Sequence, residues 1–325
     1  MKKSLIALAV AGAVTAPMVA QADATLYGKL EAVLQAKENK DVDLFMDDVI
    51  VGLKGSSETS VEGLTAIYKV ELEFNEASGL SDDDKTVDMA ASETSRPVTT
   101  RYAYVGATGA FGTVLAGRVA NPTDIVEGYG DVSNKAGELY GNPDRLGSAL
   151  AYLSPSFSGF DFYVAGIMDG SVTGDKTNGS DVDGYVLGAN YMVGDLSLSV
   201  GYWDLDSSYS MNDAGSNNVD DNILLGGSYA FGPLALGLAY EKTSYEGTSD
   251  ESDLYGISAV YTAGAVAPYI QYSQLEMDNA DDEDEVALGL NYALGKKAGV
   301  GVEYSSYDDG SDTTDQFNVS YTVKF

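Results

Sequence analysis

The chain has 325 residues with neither cysteine nor histidine, and its formal net charge is −32. Without cysteine no disulfide stabilises it; without histidine it lacks the base of Ser-His and Cys-His nucleophile pairs and the imidazole ligands of zinc or iron sites. We therefore expect that the protein is not an enzyme and that it binds neither a cofactor nor a metal ion. So acidic a surface also excludes nucleic acid as a good partner.

The N-terminal residues resemble a secretory leader. Two lysines precede a short apolar run over residues 5–14, and Ala20-Gln21-Ala22 supplies the small residues of a cleavage site. We predict a signal peptide over 1–22 and a mature chain over 23–325. An uncleaved anchor is disfavoured because the run is short and Pro17 interrupts it. The remaining possibilities are a periplasmic protein, a secreted protein and an outer-membrane barrel.

The mature chain consists of segments of about ten residues in which apolar and polar side chains alternate, the period of a strand whose faces meet different media. Short connections alternate with long acidic ones, as in an even-numbered antiparallel barrel. The fold class predicted is therefore all-β, a transmembrane antiparallel β-barrel of about 16 strands; an acidic soluble β-protein is the alternative. The predicted strands are 25–35, 49–55, 64–74, 99–106, 113–118, 147–154, 160–168, 184–192, 196–205, 222–231, 234–243, 254–262, 266–275, 286–294, 299–307 and 316–325.

The last strand alternates without interruption to the final residue. Phe317, Tyr321 and Phe325 share one face, and Asn318 and Lys324 share the other. A strand held at the very end of a chain needs a partner on each side, which barrel closure provides. We expect this strand to pair with the first.

Basic residues with inward parity occur on the first five strands. These predicted pore-lining residues are Lys29, Lys54, Lys69, Arg101 and Arg118. Tyr102 and Tyr104 are expected to face away from Arg101. The longest connection, 119–146, is predicted to be without regular structure, and its length is more typical of a functional loop than of an idle one. It carries Asp124, Glu127, Asp131, Glu138 and Asp144.

Six stretches, in order along the mature chain, resemble the Gram-negative general porin family, whose members are sixteen-stranded trimeric diffusion channels of the outer membrane. These are Thr25-Leu-Tyr-Gly-Lys-Leu-Glu31, Val51-Gly-Leu-Lys-Gly55, Thr100-Arg-Tyr-Ala-Tyr-Val-Gly106, Phe111-Gly-Thr-Val-Leu-Ala-Gly-Arg118, Tyr152-Leu-Ser-Pro-Ser-Phe-Ser-Gly-Phe160 and Tyr321-Thr-Val-Lys-Phe325. The chain departs from the family where an arginine often stands early in the second strand, since residues 48–50 occupy that place. The usual Pro-Glu-Phe-Gly signature of the constriction loop is also missing.

The resemblance implies a constriction loop, here 119–146, that folds into the lumen so that its acids face the basic wall. It also implies an outer-membrane location in contact with lipid, a homotrimer, and passive diffusion of ions and small hydrophilic solutes. In the family, a terminal aromatic strand end such as Tyr321, Val323 and Phe325 is recognised by the outer-membrane assembly machinery.

Opposed charges across a narrow water column set up a focused transverse field. With few inward basic residues and a strongly acidic chain, we expect cation preference. In the alternative, the basic side chains merely pair with Glu31, Glu71 and Glu73. A closed structural or receptor barrel with partner-binding acidic loops is the second hypothesis for function. The acid runs 82–84 and 281–285 are interpreted as solvated loops, because the spacing of a calcium site is missing.

Overall fold

The computed structural model describes residues 22–74, 98–137, 139–140, 142–168, 181–205 and 219–325. Sixteen antiparallel strands pair in chain order and close into one barrel. The predicted fold class and strand number are confirmed. Among the described residues, no helix is long and apolar enough to cross a membrane. Residues 1–21 of the predicted leader, Glu138 and the acid run 82–84 lie outside the described residues.

The strands are mostly longer than predicted, because backbone pairing continues past the last alternating side chains. Their bounds are β1 Ala22–Lys37, β2 Asp43–Glu58, β3 Leu64–Phe74, β4 Val98–Gly109, β5 Gly112–Ala120, β6 Arg145–Leu153, β7 Phe160–Ile167, β8 Gly184–Val193, β9 Leu196–Leu205, β10 Val219–Phe231, β11 Leu234–Tyr245, β12 Glu251–Tyr261, β13 Val266–Met277, β14 Glu283–Ala293, β15 Ala298–Asp308 and β16 Thr313–Lys324.

The barrel closes between its first and last strands, as predicted. Lys29 lies opposite Lys324 and Ala32 lies opposite Tyr321. Beyond the end of β16, the N–H of Phe325 donates to the carbonyl of Gly28 at 3.1 Å, and the N–H of Gly28 donates back at 3.3 Å. The last residue of the chain is therefore held in the sheet.

The two faces of the sheet have opposite chemistry. Outward side chains are apolar and exposed, for example Val105 at 64% and Leu238 at 61%. Buried polar and charged groups face the lumen, and Glu303 is only 2% exposed. A soluble β-protein would aggregate through so large an apolar surface, whereas a bilayer covers it. The soluble alternative is thereby excluded.

A β-bulge in β4 overturns one orientation predicted from strand parity. The register places Tyr102 opposite Glu71 and Tyr104 opposite Lys69, and then slips so that Arg101 has no direct partner. Because the extra residue resets the two-residue period, both tyrosines and Arg101 reach the same lumen-facing group of side chains. The prediction that the tyrosines face the other way was wrong.

The connection between β5 and β6 contains a short helix, α1 (Asp124–Gly130), where the sequence predicted no regular structure. The segment has two glycines and only seven residues, so local propensity does not support a helix. It is stabilised by tertiary packing, since Val126 is fully buried in an apolar cluster with Leu224 and Trp203. The connection itself, residues 121–144, is named the constriction loop from here on.

Candidate pore constriction

Helix α1 rests against the inner wall on a platform of inward-facing glycines in β10, β11 and β12, namely Gly226, Gly237 and Gly256. A Cβ atom added to Gly237 would lie 2.0 Å from the carbonyl oxygen of Tyr129, and one added to Gly256 would lie 2.0 Å from the hydroxyl of Tyr140. No side chain fits in that space. The loop can therefore pack against this part of the wall only because glycine occupies these positions.

The two ends of the constriction loop are tied together by a buried polar cluster. Asn142 accepts a hydrogen bond from the Trp203 indole N–H at 2.9 Å, and its own amide donates to the Thr123 hydroxyl at 3.1 Å. Asn121 donates to the Asn142 side-chain oxygen at 3.2 Å. Satisfied buried networks of this kind specify one geometry, because an unpaired member would be costly. The base of the loop is fixed in the lumen.

The tip of the loop, residues 132–137, is held by side chains on the inner wall formed by β13, β14 and β15. Glu303 accepts hydrogen bonds from three consecutive backbone N–H groups, residues 134–136, at 2.6, 3.0 and 3.0 Å. The hydroxyl of Tyr269 also donates to Glu303 at 2.6 Å. Hydrogen bonds to a charged acceptor are the stronger ones. This side chain is therefore a latch for the loop tip.

Two neighbouring wall residues extend the latch. Gln271 accepts from the N–H groups of Val132 and Ser133 at 2.7 and 2.8 Å, and Glu285 accepts from that of Gly137 at 2.7 Å. Six consecutive backbone N–H groups, 132–137, thus donate to side chains of β13, β14 and β15. The alternation of side chains in the sequence places Glu285 and Glu303 on the inner face. It does not show that they bind the loop, because their partners are backbone N–H groups, which every residue except proline has.

Two of the predicted loop acids lie against the loop's own backbone. Glu127 is buried and accepts a hydrogen bond from the N–H of Asn142 at 3.0 Å. Burial is the main cause that raises the pKa of Glu127 well above its usual range, and the nearby Glu241 carboxyl raises it further. Asp131 accepts from the N–H and hydroxyl of Ser133 at 3.0 and 2.7 Å. Both side chains stabilise the loop conformation.

Among the described loop acids, Asp124 and Asp144 have exposed side chains. Asp124 begins helix α1, where partial burial and the neighbouring Asp144 carboxylate raise its pKa to about 6. Asp144 lies 3.0 Å from the Arg145 guanidinium. Asp124 is therefore expected to change its charge between pH 5 and pH 7.

This placement gives a pH prediction for ion flow. The Asp124 carboxyl is charged above its pKa of about 6 and neutral below it, so any ratio of cation to anion permeability is expected to fall as pH drops from 8 to 5. Reversal potentials in a salt gradient measure this. Asp124→Asn should remove the step near pH 6, and an unchanged step in that variant would assign it to another group.

Three of the predicted pore-lining basic residues carry aromatic or acidic partners on the wall of β1 to β4. Lys69 lies 3.2 Å from Glu71 and 3.4 Å from the ring centre of Tyr102. The Arg101 guanidinium contacts Glu71 and Glu73 at 3.0 Å each. The exposed Lys54 lies 5.3 Å from the Tyr27 ring centre. The wall is an alternating charge network rather than a purely basic row.

Arg118 lies at the top of β5, opposite Ala103 and next to the bulge at Gly117. Its side chain is half-buried. Its role as a pore-lining residue stays a prediction.

Three carboxylates on β1 and β2, those of Glu31, Asp47 and Asp48, lie opposite the loop tip and are called the acidic corner. A second bulge places Asp47 and Asp48 together opposite the single residue Glu31. Lys29 pairs with Glu31 at 3.0 Å and with Asp48. The loop contributes Lys135, whose ammonium lies 3.1 Å from Glu31 and also contacts Asp47. Here the loop carries the positive charge and the wall the negative, the reverse of the arrangement expected from the resemblance.

A polar cavity of about 600 Å³ adjoins this contact. It extends from the acidic corner to the short β14–β15 turn, where Lys296 and Lys297 lie, and to Lys324 on β16. The loop tip thus lies between acidic side chains and a basic turn, and sequence parity alone does not bring these groups together.

A sequence model of the Gram-negative porin family matches residues 7–313. The major outer membrane protein of Halomonas elongata is 25% identical over 383 residues, covering 100% of both chains. OmpT of Vibrio cholerae, solved in a trimer form, superposes with a TM-score of 0.69 at 19% identity, covering 94% of this chain and 99% of that one. An anion-selective porin from Comamonas acidovorans gives a TM-score of 0.70 at 19% identity, covering 94% and 100%.

Proposed function

Because this chain belongs to the Gram-negative porin family and is an outer-membrane protein, we propose that it forms a water-filled channel for passive diffusion of ions and small hydrophilic solutes. The observation that carries the proposal is the constriction loop, which lies inside the barrel along the wall of β9 to β15. A loop held to one side narrows a lumen, and the exposed Lys54 and Asp124 are solvated there. The channel acts without catalysis.

Swelling of liposomes in isotonic sugar solutions tests this proposal. Vesicles containing the purified protein should swell at rates that fall with sugar size, because the constriction sieves solutes. The same vesicles with heat-denatured protein are the control. Vesicles that do not swell in the smallest sugar would contradict the channel and favour a closed structural or receptor barrel.

We also propose that the channel prefers cations. The support is a net charge of −32 together with the exposed loop acid Asp124, against basic wall residues that are largely paired. The sign must come from side chains, since a porin of the same fold is named as anion-selective. In a tenfold KCl gradient the reversal potential should have the sign of cation permeation, most clearly at low salt, where the Debye length is about 30 Å at 0.01 M. The opposite sign would refute the preference.

Three further features belong to this proposal. The Vibrio cholerae relative in trimer form supports a homotrimer, which size measurement in mild detergent would test.

Residues 1–22 would be removed on export, and N-terminal sequencing of the mature protein should begin at Asp23. Tyr321, Val323 and Phe325 would serve as the signal for the assembly machinery; deletion of Phe325 should therefore impair membrane insertion more than conductance.

A further inference from the structure

Lys135 is the only basic residue in the sequence between 121 and 144. Its side chain is 11% exposed and reaches from the loop tip to the wall of β1 and β2. There it contacts Glu31 at 3.1 Å and also Asp47. A lysine would ordinarily extend into the water of a pore, so this buried position needs a physical reason.

The backbone of the loop aims the side chain. The N–H groups of residues 134–136 donate to Glu303 on β15, which fixes the start of the Lys135 side chain. Burial alone would lower the pKa of Lys135, but Asp47 and Glu31 outweigh it and raise the pKa above the usual value. The group at the loop tip is therefore an ammonium ion.

The acceptors of this ammonium are arranged as a cation would need them. One oxygen atom from each of Glu31, Asp47 and Asp48 lies within 4.8 Å of the others. Glu31 is buried, and its second oxygen accepts from the Thr322 hydroxyl at 3.1 Å. Lys29 neutralises part of this group of carboxylates and Lys135 a further part. Two tethered ammonium groups thus face three carboxylates.

We propose that Lys135 determines ion selectivity as a tethered cation, occupying carboxylates of the β1–β2 wall that a permeating monovalent cation or primary amine would otherwise contact. The inference rests on the proposed channel. Lys135 limits the cation preference of the pore, because it cancels negative charge where the loop meets the wall. Permeating cations pass a corner that carries one net negative charge in place of two.

Charge removal at this position has a calculable direction. A unit charge about 7 Å from a permeating ion in water changes its local concentration by about threefold. Removal of the ammonium raises the local cation concentration and lowers the local anion concentration by the same factor. Lys135→Gln should therefore raise the cation-to-anion permeability ratio about sevenfold at low salt, where screening is weak. The amide of glutamine keeps hydrogen-bond donors for Glu31 but carries no charge.

The experiment compares reversal potentials of the purified wild-type channel and three variants in a tenfold KCl gradient. Lys135→Arg keeps the charge and should retain the wild-type ratio. Lys40→Gln removes the same charge from an exposed turn between β1 and β2 and should change the ratio much less. An unchanged ratio in Lys135→Gln, or an equal change in Lys40→Gln, would overturn the proposal.

A merely structural role for Lys135 predicts a different pattern. At about 1 M KCl the Debye length is about 3 Å, so a charge effect fades while a displaced loop still changes the conductance. We expect Lys135→Gln and wild type to have the same conductance at that salt concentration. A conductance that differs at high salt and is not restored by arginine would assign Lys135 to loop positioning instead. If the wild-type protein opens no channels, the proposed function fails; if it does and the ratio is unchanged, only this inference fails.

Discussion

Gly237→Val is expected to unseat helix α1 and to raise single-channel conductance. A Cβ at this position would lie 2.0 Å from the Tyr129 carbonyl oxygen and 2.7 Å from the Ser258 hydroxyl, and the backbone carbonyl cannot move away while the helix is docked. Overpacking costs about 1–3 kcal/mol, which lowers the equilibrium ratio of seated to unseated helix about 5- to 150-fold. Planar-bilayer recordings should give larger and noisier openings than wild type.

Gly128→Ala is the matched control for this experiment. Gly128 lies in helix α1 itself, and an added Cβ would meet no atom within 4 Å. Alanine is favoured over glycine in a helix by about 1 kcal/mol, so wild-type conductance with equal or lower noise is expected. Wild-type openings in Gly237→Val would contradict the docking of the helix on the glycine platform.

Glu303→Gln is expected to release the loop tip. The substitution removes the charge and one of the two oxygens that accept the N–H groups of residues 134–136. A hydrogen bond to a charged group contributes about 1.5–3 kcal/mol, so losing more than one costs about 3 kcal/mol or more. The backbone N–H groups of residues 134–136 should then exchange with deuterium faster than in the wild-type protein, as mass spectrometry can measure.

Two comparisons make this result specific. Glu285→Gln affects a carboxylate that accepts one described loop N–H, that of Gly137, and should give an intermediate exchange rate. Ser305→Ala changes a buried residue on the same face of β15, and its loop tip should exchange at the wild-type rate. Equal exchange rates at residues 134–136 in Glu303→Gln and in the wild-type protein would show that Glu303 does not hold the loop tip.

The barrel follows from the sequence because a strand between lipid and water must alternate. The third strand, 64–74, has the bounds of β3 for that reason, and the unbroken pattern at 316–325 predicts closure onto the first strand. Strand number also follows from the period, since each crossing repeats the pattern. These are local properties that every crossing of a bilayer requires.

The constriction could be predicted only in part. Its length and acids are visible in the sequence, but Glu127 lies against the loop backbone and helix α1 depends on a wall of glycines distant in sequence. Bulges at Arg101 and opposite Glu31 interrupt the two-residue period, so parity misorients Tyr102 and does not bring Asp47 and Asp48 together. The position of the Lys135 side chain depends on the docked loop and on the bulge in β2. Neither can be read from the residues next to Lys135 in the sequence.

Single-channel recording of the purified wild-type protein in a planar bilayer tests the central claim most directly, namely that the loop narrows the lumen without closing it. We predict long-lived openings of uniform size, with a reversal potential of cation sign in a KCl gradient. A bilayer that stays sealed, although detergent extraction shows folded protein inserted in it, would contradict the account.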